Sequence, residues 1–166
     1  MSLEMNFELP EAVALGAIGE PGNRVFVIQI RTTLDAITLK LEKAQVAGLV
    51  RYIALILGDL DKLGHLPKAA PVVPPLEPLF VVGEIAVAYS GDDDSVTLTL
   101  TELAEEEDEE ASKVTVRITK ELAGTLAIQG TELIEAGRPT CPLCGFPIEP
   151  EGHPCPRTNG YRAPKP

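Results

Sequence analysis

Three cysteines and one histidine fall within fifteen residues of one another: Cys141, Cys144, His153 and Cys155. Cys141-Pro142-Leu143-Cys144-Gly145 is a C-x₂-C pair suited to a tight turn. Such a turn brings two thiolates to one ion, its N–H groups can face the sulfurs, and Gly145 lets the chain leave without a Cβ clash. His153-Pro154-Cys155 follows after eight residues and completes a Cys₃His set. Soft thiolates with one imidazole suit Zn²⁺ in a tetrahedral site. Four protein ligands leave no open coordination position, so the expected role of the zinc is structural and no catalytic residue is assigned. Glu149 and Glu151 are the alternatives to His153 as fourth ligand.

Other chemistries fit these residues less well. A thioredoxin-like redox pair opens a helix, whereas Pro147 and Pro150 follow this one closely. A disulfide with one thiol left over conflicts with a cytoplasmic chain. Core-filling cysteines would not gather in one polar, proline-rich segment with one of only two histidines. The second histidine, His65, reads as a helix cap or surface residue. Pro156 to Arg162 adds a small polar group. Arg157, Asn159, Tyr161 and Arg162, with Arg24 from the body, are candidate ligand or partner contacts that could grip a phosphate, a carboxylate or a partner's backbone. Alternatively, Arg157 and Arg162 pair with the acidic body and dock the tail.

Composition bounds the rest. The chain has 166 residues, 45% hydrophobic and 23% charged, which is globular usage and excludes a disordered tail protein. No apolar run is long enough to cross a bilayer and there is no secretory signal pattern, so a soluble, cytoplasmic protein without a membrane partner is expected. The net charge of −11 sets up a field that repels nucleic acid and anionic lipid. It is unevenly spread: residues 1–137 hold 10 basic and 23 acidic side chains, whereas 138–166 hold four and two. All three cysteines and eight of the 15 prolines also lie in that final stretch, which is therefore a separate compositional unit.

The body must position this tail. Val13–Ile18 and Arg24–Arg31 flank the turn signal Gly19-Glu20-Pro21-Gly22-Asn23 and predict a hairpin, and Ile37–Leu41 alternates as a third strand. From Val46 the apolar positions 46, 49, 50, 53, 56, 57 and 60 mark a helix lasting to about Lys62. Residues 64–78, with five prolines, read as an extended crossing linker. Strands are then expected at Phe80–Tyr89, Val96–Thr101 and Val114–Ile118, and a helix at Thr119–Ala136 with Gly137 as its C-cap. Met1-Ser2-Leu3 is set aside as a vector-like leader. The acidic run Glu105–Glu110 lacks the spacing of a calcium loop and reads as a solvated loop tip.

The halves align with each other. Ile37–Leu41 matches Val114–Ile118 at an offset of 77, and Arg24–Ile30 matches Ser95–Thr101 at 71. The expected fold is therefore α+β: two pseudo-repeated βββα units with antiparallel sheet, residues 4–63 and 79–137, joined by the 64–78 linker and followed by a zinc-knuckle tail at 138–166. Free sheet edges allow a homodimer.

The combination Gly19-Glu20-Pro21-Gly22-Asn23-Arg24-Val25-Phe26, Leu41-Glu42-Lys43-Ala44-Gln45, Val82-Gly83-Glu84 and Gly137-Arg138-Pro139, leading into Cys-Pro-Leu-Cys and Gly152–Arg162, resembles an uncharacterised bacterial family, domain of unknown function 3090. The resemblance covers nearly the whole chain. It implies a bacterial cytoplasmic protein without an established activity and supplies no substrate. No phosphate-binding loop or nucleophile elbow occurs in the sequence. The leading expectation is a non-enzymatic zinc-binding protein that binds a protein partner or scaffolds an assembly. A small-molecule enzyme or ligand-binding protein using Arg24, Arg157, Asn159, Tyr161 and Arg162 is the second expectation, and nucleic-acid binding by the zinc tail the third.

Overall fold

The computed structural model describes residues 2–20, 22–58, 63–107, 109–136 and 142–143. Among them run β1 (Glu4–Glu8), β2 (Ala12–Ile18), β3 (Val25–Arg31), β4 (Ala36–Leu41), α1 (Lys43–Leu57), β5 (Val82–Ser90), β6 (Ser95–Glu102), β7 (Lys113–Thr119) and α2 (Lys120–Glu135). The fold is α+β. One sheet is the antiparallel meander β2-β3-β4; the other has the order β1-β7-β6-β5, antiparallel except for the β1/β7 pair.

Side-chain alternation explains the strands. Ile37, Leu39 and Leu41 of β4 stand opposite Ile30, Ile28 and Phe26 of β3, and all six pack in the core. Val114, Val116 and Ile118 of β7 stand in the same way opposite Leu100, Leu98 and Val96 of β6. These ladders place Ile30 with Leu100 and Ile37 with Val114. The offset of the second strands is therefore 70, one less than the 71 read from the sequence. A slip of one residue would turn the whole strand inside out, and the buried Val96, Leu98 and Leu100 fix the choice.

Both helices begin at the same point of this correspondence. Glu42 starts α1 with a capping box, in which its own backbone N–H donates to the Gln45 side chain at 2.8 Å. Thr119 starts α2 by accepting from the N–H of Leu122 at 3.1 Å. The helices cross at Gly130, where an added Cβ would lie 2.5 Å from Val50 Cγ2 and 3.0 Å from Leu15 Cδ1. Close approach of the two backbones therefore requires glycine there.

Two segments differ from expectation. Residues 4–8, expected to belong to the first unit, form β1 and pair in parallel with β7 of the second sheet. Met5 and Phe7 face the core while Glu4, Asn6 and Glu8 are exposed. Ser2 and Leu3, set aside as a leader, are also engaged: Lys113 N–H donates to the Leu3 carbonyl at 2.7 Å, and the Ser2 hydroxyl donates to Glu110.

The stretch 64–78 is a packed strap. Val27 and Gln29 sit on the outer face of β3, away from Ile28 and Ile30, and both are fully buried. The Gln29 amide donates to the Val73 carbonyl at 2.7 Å and accepts from the Val73 N–H at 3.0 Å, so it mimics a rung of a β-ladder. Its amide also donates to Thr38, whose hydroxyl donates to the Pro75 carbonyl. Further along, the Pro67 carbonyl accepts from Thr125, the Ala70 carbonyl accepts from Gln129, and Val72 fills the space above Gly16. The Pro74-Pro75 peptide is cis. No helix of the described residues is long and apolar enough to cross a membrane.

Gln29→Met keeps the side-chain volume but leaves the Val73 N–H and carbonyl without partners under the strap. We expect a loss of about 2–4 kcal/mol in equilibrium urea unfolding, since each orphaned buried group costs about 1–3 kcal/mol.

Candidate functional site

Cys141, Cys144, His153 and Cys155, together with Arg157, Asn159, Tyr161 and Arg162, lie outside the described residues, as do Gly137, Glu149 and Glu151. Pro142 and Leu143, between the first two cysteines, are described; both are exposed and form a turn. No group of three or more His, Cys, Asp or Glu side chains among the described residues could hold a metal ion. The metal set therefore stands on the spacing of residues 141–155.

What the structure does place is the root of this segment. Arg24, just before β3, stretches across to the C-terminal end of α2 and donates from Nη2 to the Leu133 carbonyl. Its guanidinium lies over the Phe26 ring, 5.2 Å from the centroid. The last carbonyls of a helix carry partial negative charge and lack intrahelical donors, so a cation here both bonds and neutralises. Ala136 closes the helix by donating to Glu132 at 2.8 Å. Arg24, read from sequence as a ligand contact, is thus occupied as the cap from which residues 137–166 depart.

Of the other singled-out residues, His65 is exposed after Gly64 and well past Gly58, which caps α1. The acidic run lies between β6 and β7 and turns on itself: Glu109 N–H donates to the Glu106 carbonyl, and the Glu109 carboxylate accepts from the Glu105 N–H. At its base Glu102 accepts from the backbone N–H of Ser112 at 3.0 Å, which holds its carboxyl below the usual range. The Glu102 and Glu109 carboxylates thus serve the backbone of their own loop.

A groove of about 560 Å³ was not visible in the sequence. It lies between α1 and the outer edge of β5, lined by Gln45, Gly48, Leu49, Tyr52 and residues 84–87. Gly48 leaves it open, since a Cβ there would meet nothing within 4 Å. Tyr52 is 52% exposed and Leu55, one turn on, 73%. The Gln45 amide donates to the Val82 carbonyl at 2.9 Å and so pins the start of β5 to the helix.

At the opposite end of β5, the Tyr89 phenol donates to Asp94 at 2.5 Å, and Lys120 stands 3.5 Å from the same carboxylate. The phenol's bond, then Lys120, hold the Asp94 carboxyl below its ordinary value, and the same bond raises the phenol. Asp93 is held low chiefly by the Ser95 hydroxyl at 2.7 Å, and with Glu8 it brackets Arg117. These contacts lock the Gly91–Asp94 turn onto β7 and α2 and use its acids structurally.

The chain matches the model of a family described as protein of unknown function (DUF3090) over residues 5–155, and it belongs to that family. No curated protein and no solved structure matches it.

Two outcomes follow from the pinned ends. Arg24→Met removes the cation from the α2 terminus and should lower stability by about 1 kcal/mol in chemical unfolding. Asp94 is lowered in the fold, so its contribution is complete above the ordinary carboxylate range and is lost as pH falls through its folded value. Asp94→Asn should therefore melt below the wild type at neutral pH, with the gap closing in acid; equal melting temperatures at neutral pH contradict this.

Proposed function

We propose that this family member is a zinc-stabilised binding protein in which a structural site at Cys141, Cys144, His153 and Cys155 orders the C-terminal segment, and that its role is to engage a protein partner or scaffold an assembly in the cytoplasm. The observation that carries the reading is the ligand spacing: three thiolates and one imidazole in fifteen residues, the first pair separated by an exposed Pro142-Leu143 turn. With all four positions filled by protein, zinc would act on folding rather than on a substrate. The capped end of α2 supports the same reading, because a segment that serves as a binding module needs a fixed point of departure.

The second reading, an anion-binding enzyme or ligand-binding protein built around Arg157, Asn159, Tyr161 and Arg162, has less support, since Arg24 is engaged by the Leu133 carbonyl. Nucleic-acid binding by the tail must overcome a body with 23 acids and 10 bases. We also infer that the two βββα stretches arose by duplication. Matched ladder registers and matched helix starts at Glu42 and Thr119 support this.

Metal analysis of the full chain should find one zinc per chain, and Co²⁺ substitution should give the visible bands of a tetrahedral thiolate site. Cys144→Ser should abolish both while the far-ultraviolet dichroism of the body is retained. A chain that purifies without metal, fails to take up Co²⁺ and leaves all three thiols open to alkylation would overturn the proposal.

A further inference from the structure

A β-sheet edge presents unpaired N–H and C=O groups, and folded proteins cover such edges or make them unattractive to another strand. The four edges of this protein are treated unequally. The β2 edge is met by α2, with Leu15 N–H donating to Gln129 at 2.9 Å. The β4 edge is closed by the chain leading into β5: Leu79 N–H donates to Thr38 and Lys40 N–H to the Phe80 carbonyl. The β1 edge is only five residues long and carries Glu4 and Glu8.

The β5 edge differs. Its start is held by Gln45, and its register shift lies there too, between Val82 and Glu84. From Glu84 to Ser90 it is regular, antiparallel to β6 on one side, and among the described residues has no strand on the other. Alternate residues of such a strand turn both N–H and C=O outward. Glu84–Ser90 contains no proline, no lysine and only one charge, Glu84. Beside it the open groove is flanked by Gly48 and Tyr52 of α1.

We propose that this edge pairs with the β5 edge of a second copy of the chain, antiparallel about a two-fold axis at Val87, joining the two four-stranded sheets into one. The register is self-complementary. Glu84 faces the partner's Ser90, Ile85 faces the partner's Tyr89, Ala86 faces the partner's Ala88, and Val87 meets its own copy. A chain of net charge −11 repels its copy at long range. Here the strand's only charge meets a hydroxyl, and the aromatic and β-branched residues face one another on the core side, a pairing that stabilises sheets. The added strand also fills the groove below Tyr52, which supplies the apolar contact that a ladder alone lacks. A foreign peptide could use the same outward groups, but the matched charge and side-chain pattern favour a second copy.

The test is the mass of the full chain by light scattering over a dilution series, compared with Ala86→Lys/Ala88→Lys. Both alanines are exposed on the solvent face of β5, so the lysines are compatible with the fold of one chain while opposing each other across the axis. The wild type should have twice the 17.7 kDa of one chain, and the double variant should dissociate about tenfold more readily or worse, through like charges placed directly opposite. Hydrogen exchange of wild-type residues 84–90, faster on dilution, gives a second readout that needs no variant. A wild type monomeric at all concentrations, a double variant as dimeric as the wild type, or exchange at 84–90 that is independent of concentration would each overturn the proposal.

Discussion

The two hydrogen bonds between the Gln29 amide and the backbone of Val73 govern how the rest of the chain is arranged. A fully buried amide is tolerable only if its donors and acceptor are met, and here the strap meets them. The proline-rich stretch is thereby held against the outer face of β3, and that strand becomes buried on both sides. From this anchor the strap reaches Thr125 and Gln129 of α2 and seats Val72 over Gly16. Prolines are well suited to such a strap, because they restrict the unfolded chain while their carbonyls remain free to accept.

Fastening the strap to the first sheet leaves the halves unequal although their ladders correspond. The β2-β3-β4 meander is wrapped on its outer face and along both edges. The β5-β6-β7 meander gains β1 at one edge and keeps β5 open at the other, with an outer face rich in threonine. The partner binding and self-association proposed above are therefore assigned to the second half and the C-terminal segment, while the first half is covered by its own chain. Arg24 links the two: it lies at the start of β3 and caps the helix that leads into the cysteine segment.

Elements with a strong period are legible from the residues. Ile37–Leu41, Val96–Thr101 and Val114–Ile118 alternate without interruption, and the spacing of Val46, Leu49 and Ile53 marks the buried face of α1. The helix itself starts three residues before that apolar pattern, because its first signal, Glu42 with Gln45, is a cap. β1 escapes a reading of the sequence although Met5 and Phe7 alternate with polar residues, since five residues pairing in parallel over a hundred positions away leave little local trace. The second-strand register differs by one because both Val27 and Ile28 are buried, which removes the alternation that would decide it. The proposed zinc set is legible only as the spacing of four side chains, all of them outside the described residues. The β5 edge is not, because whether a strand lies inside a sheet or at its border is a property of topology.

Native-state hydrogen exchange at the Val73 amide tests the central claim most directly. If Gln29 clamps the strap as an integral layer, this amide should exchange only through global unfolding, as slowly as that of Ile28 in the centre of β3. Exchange at the rate of an open linker, with Ile28 still protected, would contradict it.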